Sequence, residues 1–282
     1  MSADGNVIDD PDQSGQAVCI VTGAASGIGE ATARLFAAKG YQVIVADIQV
    51  ERGEAVAASL GADAQFHRLD VLSEDNFSET ISAVAAQFGR LDCLVNNAAI
   101  TGAMGPLAGL SAEDFGLAVD IIYRSVFFGC KHAARIMQPQ RRGSIVNIAS
   151  ISGKTAGYSP HFYAACKAAV IQFTKSIALE LIEDGVRVNA VCPGNVETPI
   201  LTGIRDDRWR QRIERIGSEM KDMQAIGRLA RPAELAEAIY WLASDASSFV
   251  TGHDLVADGG LLAGRPWRLQ PEHFRNYHEA KF

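Results

Sequence analysis

Seven short apolar runs, separated by stretches with the length and pattern of helices, constrain the fold of this chain more than any other feature of its sequence. They occupy residues 17–23, 42–47, 64–71, 91–99, 143–150, 186–194 and 253–260. Most of them are apolar at nearly every position, as is typical of strands covered by helices on both faces. Because helical crossovers join parallel strands, the sequence predicts an α/β fold with an open, doubly wound parallel sheet of about seven strands.

The alternation of strands and helices predicts a single domain over residues 16–263, because no linker or low-complexity segment interrupts it. Residues 195–226 depart from the pattern by forming a long connection between the sixth strand and the last helix. Connections of this length in a compact domain are usually functional, so we expect a substrate loop or lid there.

Two flanking segments lie outside this domain. Residues 1–15 are polar and carry four aspartates, which predicts a disordered tail. Residues 264–282 form a C-terminal extension. Its aromatic side chains, Trp267, Phe274 and Tyr277, are unusual for a free linker, and we expect them to dock on a subunit.

The composition excludes several classes of protein. A formal charge of −7 argues against a nucleic-acid-binding surface. No run of 18 apolar residues predicts a membrane span, and the N-terminus lacks the basic and apolar regions of a signal peptide, so we expect a cytoplasmic protein. The five cysteines have no metal-ligand spacing and the six histidines are scattered, which predicts buried free thiols and no metal site.

The segment TGAASGIG, residues 22–29, has the spacing of a phosphate-binding loop. Gly23 permits a tight turn, while Gly27 and Gly29 remove Cβ atoms that would keep backbone N–H groups away from a pyrophosphate. We expect Ser26 and Ile28, which stand between these glycines, to contact the cofactor too. The location of the loop between the first strand and the first helix strengthens the prediction of a dinucleotide site.

Asp47 predicts which dinucleotide binds. It ends the second apolar run, 18 residues after Gly29. A carboxylate there can accept both ribose hydroxyls of an adenosine and repels a 2′-phosphate. Ser26, and not a basic residue, stands inside the glycine loop, and no basic residue directly follows Asp47. The sequence therefore favours NAD over NADP.

Five motifs, in this order, resemble those of the short-chain dehydrogenase/reductase family. They are the TGxxxGxG spacing, Asp70-Val71, NNAA at 96–99, a serine 13 positions before a YxxxK motif, and PGNVETP at 193–199. The resemblance covers about residues 16–263. It implies a Rossmann-like fold, an oxidoreductase that uses a nicotinamide cofactor, and a homotetramer or homodimer built on the helices around residues 105–135 and 160–182.

The resemblance also implies a role for each residue that matches a motif. Asp70 and Val71 would contact adenine, and the strand end carrying Asn96, Asn97 and Ala98 would line the cofactor ribose. The residues framing the nicotinamide would be Pro193, Gly194, Val196 and Thr198. The catalytic set would be Ser150, Tyr163 and Lys167, with Tyr163 and Lys167 also touching the cofactor.

The chemistry of an alcohol oxidation explains why these residue types fit. A tyrosine with an ordinary pKa of about 10 is a poor base at neutral pH. A lysine one turn later lies on the same helix face, and its charge lowers the pKa of the phenol toward the working range. Ser150, at a strand end, would hold the substrate oxygen. We expect Ser159 to cap this helix and Pro160 to be its first residue.

One position departs from the family pattern. The family usually carries a catalytic asparagine in the helix after the NNAA strand, where it helps to hold a water that relays protons to the lysine. Ile122 occupies that position here and cannot form a side-chain hydrogen bond. Either a freed backbone carbonyl or Ser125 would have to hold the water, and we expect activity to survive, though reduced.

The predicted substrate is a bulky, largely apolar secondary alcohol or the corresponding ketone. The residues expected to contact it are Ser150, Ser152, Tyr163, Ile100, Leu201 and Trp209, with Met104 and Ile200 adding apolar surface. Three alternatives remain open. They are a dihydrodiol dehydrogenase, a C=C or C=N reductase of the same fold, and a protein that binds NAD with weak or no turnover.

Overall fold

The computed structural model describes residues 15–203, 208–220 and 222–275. At its centre lies one seven-stranded sheet with the order β3-β2-β1-β4-β5-β6-β7. All neighbouring strands pair in parallel. The strands are β1 Val18–Thr22, β2 Gln42–Asp47, β3 Ala64–Arg68, β4 Cys93–Asn96, β5 Gly143–Ile148, β6 Val186–Pro193 and β7 Asp254–Ala257. The predicted doubly wound parallel sheet is therefore confirmed, with one strand inside each apolar run.

Helices cover both faces of the sheet. They are α1 Gly27–Ala38, α2 Val50–Leu60, α3 Glu74–Phe88, α4 Ala112–Val119, α5 Ser125–Gln140, α6 His161–Leu181, α7 Pro199–Thr202, α8 Trp209–Met220, α9 Pro232–Ala243 and α10 Glu272–Arg275. A π-helical turn, Asp120–Arg124, joins α4 to α5. The long connection predicted at 195–226 contains α7 and α8.

The two faces explain why the strands are apolar throughout. Ile20 is buried in a core with side chains of α3, α5 and α6. The next residue, Val21, is buried on the opposite face with side chains of α1 and α9. Successive side chains of a strand point to opposite faces, so a strand covered on both sides needs apolar residues at every position.

The strand order places the functional crevice. From β1 the chain continues to β2 on one side of the sheet, whereas β4 lies on the other side of β1. Ligands of open parallel sheets bind at such a reversal, beyond the carboxyl ends of the strands. The loops that follow β1, β4, β5 and β6 carry most of the predicted site residues, and they all lie at this edge.

The C-terminal extension contacts its own chain through Arg268, whose guanidinium lies 2.7 Å from the Asp222 carboxylate and donates to the Ala225 carbonyl at 3.1 Å. Trp267 and Phe274 are exposed. Docking of the extension on a subunit stays a prediction. Tyr277 and residues 1–14 of the predicted tail lie outside the described residues.

The five cysteines are buried and unpaired, as predicted. Within the described ranges, no helix combines the length and hydropathy needed to cross a membrane. The same ranges hold no cluster of three or more metal-ligating side chains.

Candidate active site

The glycine loop packs against the ends of two other strands. Gly23 has φ 65°, and a Cβ there would lie 2.9 Å from the Cα of Ala98. A Cβ on Gly29 would lie 2.2 Å from the Gly23 carbonyl oxygen. Because real Cβ atoms do not approach so closely, only glycine fits these two positions. The loop thus holds the N-terminus of α1 in the crevice with backbone exposed for an anion.

The N-terminus of α1 is open to a ligand. Ser26 is the N-cap residue, but its side chain makes no capping hydrogen bond. Gly27 has φ 58°, and its Cα faces Thr198, since a Cβ would lie 3.1 Å from Thr198 Cγ2. The loop after β6 therefore touches the glycine loop, and the two form the walls of one cleft. Ile28 is half-buried beside Gly27.

Asp47 is fixed beside the glycine loop. Its carboxylate accepts the backbone N–H groups of Ala25 and Gln49, each at 2.9 Å. The side chain is buried at the carboxyl end of β2, where an adenosine ribose would lie. Arg68, its register partner on β3, is a nearby basic residue that the sequence analysis did not consider.

Asn96 and Asn97 play different parts. Asn97 donates from Nδ2 to the Thr22 and Gly23 carbonyls, at 2.9 and 3.1 Å, and so supports the glycine loop. Asn96 donates from Nδ2 to Asn147 Oδ1 at 2.9 Å, and its side chain contacts Gly129 of α5. The side chain of Asn96 thus faces α5, while the place of Asn96 beside the cofactor ribose stays a prediction. Its amide is bound in the layer between sheet and helix.

At the adenine end, Asp70 follows β3. Its carboxylate accepts the N–H of Leu72 at 3.0 Å, and its own N–H donates to the Asn76 side chain at 2.8 Å. Asp70 and Val71 are half-buried, so both can still reach a ligand in the crevice.

The residues expected to frame the nicotinamide form a tightly held loop after β6, which ends at Pro193. Gly194 donates its N–H to the Ala257 carbonyl at 3.1 Å, and Val196 pairs with Ala230 in an isolated parallel bridge. Thr198 is buried, and its hydroxyl donates to the Val196 carbonyl at 3.3 Å. This nicotinamide loop, residues 193–198, is thus preformed.

Ser150, Tyr163 and Lys167 come together where β5 ends and α6 begins. Ser150 is buried, and its hydroxyl accepts the N–H of Ser152 at 3.1 Å. Tyr163 is the third residue of α6. Lys167 is buried one turn later, donates to the Ile148 carbonyl at 2.6 Å, and places Nζ 5.6 Å from the centre of the Tyr163 ring.

The start of α6 differs from the prediction by one residue. The helix begins at His161, and Pro160, with ψ 151°, is its N-cap. The Ser159 hydroxyl makes only a long contact, 3.5 Å, with the Pro160 carbonyl and caps no N–H group. Because an extended ψ at Pro160 keeps it out of the helix, the predicted Ser159 cap is wrong. The placement of Tyr163 in the first turn is unaffected.

Electrostatics in this site oppose the ionisation of both groups. Burial raises the pKa of Tyr163 to about 12, although hydrogen bonding from Ser150 lowers it. Burial also lowers the pKa of Lys167 to about 8. Burial therefore opposes the charged form of each group, and positive charge added to the crevice would lower the pKa of Tyr163.

Ile122 lies in the π-helical turn and is completely buried with Ala118 and Cys166, against Tyr163. The Ser125 hydroxyl donates to the Ile121 carbonyl at 2.6 Å. Its proton is therefore engaged with its own helix, and only its lone pairs remain for a water. Beside Cys166 and Tyr163, the position that the resemblance assigns to an asparagine is filled with apolar atoms.

The residues predicted to contact substrate lie in the segments that follow β4, β5 and β6, in α6 and at the start of α8. Ile100, Leu201 and Trp209 are half-buried, and Ser152 is buried beside Ser150. Met104 is 68% exposed and Ile200 is 36% exposed. Thr101 donates its hydroxyl to the Ile200 carbonyl at 3.0 Å, which joins the loops after β4 and β6. Together with Ile100, which packs in the same cluster as Tyr163, this contact places the apolar rim of the crevice at the loops after β4 and β6.

Two polar residues that support the site were missed by the sequence analysis. Gln224 is buried and accepts the N–H of Asn195 in the nicotinamide loop at 2.7 Å. Asp254 on β7 binds Lys154, which follows Ser150, and also lies 3.2 Å from Lys175 of α6. Neither belongs to a recognisable motif, and both act across long sequence separations, so no local pattern could have revealed them.

The chain is similar to known proteins over most of its length. A family model described as enoyl-(acyl carrier protein) reductase matches residues 23–262. The chain is 43% identical over 249 residues to cis-4-hydroxycyclohexanecarboxylate dehydrogenase of Sinomonas cyclohexanicum, covering 87% of this chain and 96% of that protein. It is 41% identical over 255 residues to 2,5-dichloro-2,5-cyclohexadiene-1,4-diol dehydrogenase of Sphingobium indicum, covering 89% and 99%.

Solved structures share the fold. A short-chain type dehydrogenase/reductase from Mycobacterium marinum superimposes with a TM-score of 0.80 at 31% identity, covering 88% of this chain and 96% of that one. ElxO with NADP bound gives a TM-score of 0.80 at 31% identity, covering 89% and 100%. Together with the parallel sheet and the extent of the family match, these likenesses show that the chain belongs to the short-chain dehydrogenase/reductase family of oxidoreductases.

Proposed function

We propose that this protein is an NAD-dependent dehydrogenase that interconverts a secondary alcohol and a ketone on a bulky, largely apolar ring, with Tyr163 as general acid and base. The observation that carries the proposal is the meeting of Ser150, Tyr163 and Lys167 at the end of β5, beside the cleft formed by the glycine loop and Thr198.

The cleft fits a dinucleotide. The Cβ-free surfaces of Gly23, Gly27 and Gly29 would hold the pyrophosphate, and the backbone of residues 193–198 would hold the nicotinamide. When bound, this cofactor supplies the acceptor for the hydrogen leaving the alcohol carbon and, in its oxidised form, a positive charge. That charge is what the site lacks, because burial raises the pKa of Tyr163 to about 12.

Proton transfer then follows from the chain's own side chains. Ser150 would donate its hydroxyl to the substrate oxygen, since its lone pair already accepts the Ser152 N–H. Tyr163 Oη would remove the alcohol proton. Lys167, fixed by the Ile148 carbonyl, would stabilise the phenolate while it keeps its own proton.

The choice of NAD rests on Asp47. Its carboxylate is held at the end of β2 by two backbone N–H groups, and a 2′-phosphate there would meet a buried negative charge. We expect kcat/KM to favour NAD over NADP by at least tenfold in the wild type, and Asp47→Ser to reduce or reverse this preference. An unchanged ratio in Asp47→Ser would contradict the assignment.

The substrate class rests on the rim of the crevice and on the relatives. Ile100, Leu201 and Trp209 present apolar surface, and both curated relatives named above act on six-membered rings bearing hydroxyl groups. A cyclic diol is the second candidate, since the Sphingobium relative oxidises one by its name.

A substrate panel separates these possibilities. Purified protein is assayed by NADH absorbance with cyclohexanols, borneol, a cyclohexadiene diol and, in reverse, an enoyl thioester. We expect the wild type to oxidise ring alcohols. Tyr163→Phe should lower the rate of this oxidation at least a hundredfold. Turnover of only the enoyl thioester, or an equal rate in Tyr163→Phe, would refute the alcohol dehydrogenase. NADH binding with no turnover of any substrate would support the binding-only alternative.

We also propose self-association through α5 and α6. Phe115 on α4, Phe127 on α5 and Leu179 on α6 are exposed by 50%, 41% and 74%. Apolar side chains on these neighbouring helices are the expected signature of an interface, and the family resemblance implies a homotetramer or homodimer. Light scattering should give a mass of two or four chains, which Phe127→Glu should reduce. A monomeric wild type would refute it.

A further inference from the structure

Gln224 bridges two parts of the site. It is 1% exposed, and both ends of its side-chain amide are used. Oε1 accepts the N–H of Asn195 at 2.7 Å, and Nε2 donates to the Arg228 carbonyl at 2.6 Å. Asn195 lies within the nicotinamide loop, whereas Gln224 ends the connection that contains α7 and α8. One buried side chain therefore ties the far end of the connection to the loop at which it starts.

The nicotinamide loop is packed directly onto this amide. A Cβ on Gly194 would lie 2.5 Å from Gln224 Oε1 and 2.8 Å from the Cα of Asp258, so the loop backbone has no space to move toward Gln224. On the other side, Ala230 donates its N–H to the Asn195 carbonyl at 2.9 Å. The Asn195 peptide groups are thus held by Gln224 on one side and by Ala230 on the other.

The path of the chain shows that the contact between Gln224 and Asn195 joins the two ends of one long segment. The connection leaves the nicotinamide loop at Pro199, forms α7 and α8 near the substrate residues Leu201 and Trp209, and returns at Gln224. Ile226, two residues later, donates its N–H to the Gly259 carbonyl at 3.0 Å, which fixes the return point on the end of β7. A substrate bound against α7 and α8 would therefore act on the nicotinamide loop at Pro199, where the connection leaves it, and at Asn195, through Gln224.

We propose that Gln224 is a positioning residue that couples the α7–α8 segment to the nicotinamide loop, so that contact with a bulky substrate sets the position of the cofactor. This inference rests on the proposed function. According to this proposal, the buried amide of Gln224 contributes to the turnover of large substrates and not to the turnover of small ones.

The test compares two matched substitutions. Gln224→Met keeps the length of the side chain and removes both hydrogen bonds. Gln140→Met makes the same chemical change at the opposite edge of the sheet, where Gln140 accepts the Leu91 N–H and donates to the Leu91 carbonyl, both at 2.8 Å. Gln224→His is the rescue variant, because one ring nitrogen can accept from Asn195 while the other donates to Arg228.

The test has three readouts. The first is NADH binding, measured by fluorescence, and the second is hydrogen exchange of the backbone N–H groups of residues 194–198 without added ligand. The third is kcat at saturating NAD for borneol relative to propan-2-ol. Losing a buried hydrogen bond typically changes an equilibrium by about tenfold. We expect Gln224→Met to weaken NADH binding about tenfold, to speed exchange at Asn195, and to lower the borneol to propan-2-ol ratio at least fivefold. Gln224→His should restore all three, and Gln140→Met should change none.

Equal thermal destabilisation of Gln224→Met and Gln140→Met, with NADH affinity and the substrate ratio unchanged in both, would overturn the coupling and leave a structural role. If Gln224→Met does not fold, Gln224→Asn decides, because its shorter amide cannot hold both Asn195 and Arg228: a lowered substrate ratio supports coupling, and a wild-type ratio refutes it. A wild type that neither binds NADH nor oxidises an alcohol would instead refute the proposed function, and the coupling with it.

Discussion

Replacing Lys167 by methionine removes the positive charge nearest to Tyr163 while keeping most of the side-chain volume. Nζ of Lys167 lies 5.6 Å from the centre of the Tyr163 ring. At an effective dielectric constant of about 20, a unit charge at that distance stabilises a phenolate by about 3 kcal/mol, or about two pKa units. Because burial raises the pKa of Tyr163 to about 12, the site cannot lose this contribution without losing its base.

We expect kcat for alcohol oxidation at saturating NAD to fall roughly a hundredfold at pH 7 in Lys167→Met, as about two pKa units imply. The rising limb of the pH profile should move up by a similar two units. Burial lowers the pKa of Lys167 to about 8, so its charge is available below that pH and lost above it. The difference between wild type and variant should therefore shrink between pH 8 and pH 10.

Initial rates between pH 6 and pH 10, with NAD affinity measured separately by titration, provide the assay. Lys167→Arg is the matched variant, since it keeps a charge at the position and should retain more activity than Lys167→Met. An unchanged pH profile in Lys167→Met, with a rise in KM alone, would refute the electrostatic reasoning and reduce Lys167 to a cofactor ligand.

Three further predictions concern the surroundings of these residues. Gly29→Ala should abolish NADH binding in a fluorescence titration, because a Cβ would lie 2.2 Å from the Gly23 carbonyl oxygen; retained affinity would contradict the packing of the loop. Burial alone would raise the pKa of Asp254, but its hydrogen bonds with two lysines lower it overall. Asp254 therefore stabilises the folded state fully above its unfolded-state pKa of about 4. This stabilisation is lost as the pH falls through the lower pKa that Asp254 has in the folded state. Asp254→Asn should cost about 1 kcal/mol of unfolding free energy at pH 7 and almost nothing near pH 2, and an equal cost at both would exclude the ion pairs as its source. Ile122→Asn should lower the unfolding free energy by about 2 kcal/mol, because it buries an amide in an apolar cluster. The same substitution should raise kcat at pH 7. A fall in kcat would argue that catalysis needs the apolar packing beside Tyr163.

The fold could be predicted from the sequence because strands buried on both faces leave a continuous apolar signal, and the turn glycines mark where the first strand meets its helix. The side chain of Asn96 could not be placed in this way, because its amide contacts Asn147 and α5. Side chains of a strand alternate between faces, and one residue decides whether an amide meets the ligand or the neighbouring helix. The cap of α6 failed for a similar reason, since Ser-Pro is compatible with a helix starting at either residue. The location of Ser150 beside Tyr163, by contrast, was implied by the family resemblance and agrees with the end of β5 and the start of α6.

The contacts that hold the site together could not be predicted. Gln224 and Asn195 are 29 residues apart, and the Lys154–Asp254 pair spans 100 residues. Such pairings depend on how loops return to the sheet, which no periodicity encodes. The cytoplasmic location and the disorder of the N-terminal tail stay predictions.

α8 contains no buried residue, although it carries Trp209, which we propose contacts the substrate. The chemistry of the site, in contrast, is anchored in the buried sheet and in α6. Substitutions in α8 should therefore change the free energy of unfolding little, because a substitution at an exposed position usually changes it by less than about 0.5 kcal/mol. A protein built in this way can acquire a new substrate by changing one peripheral helix, while the parts that perform the reaction stay the same. For enzyme engineering, α8 is the segment to randomise first.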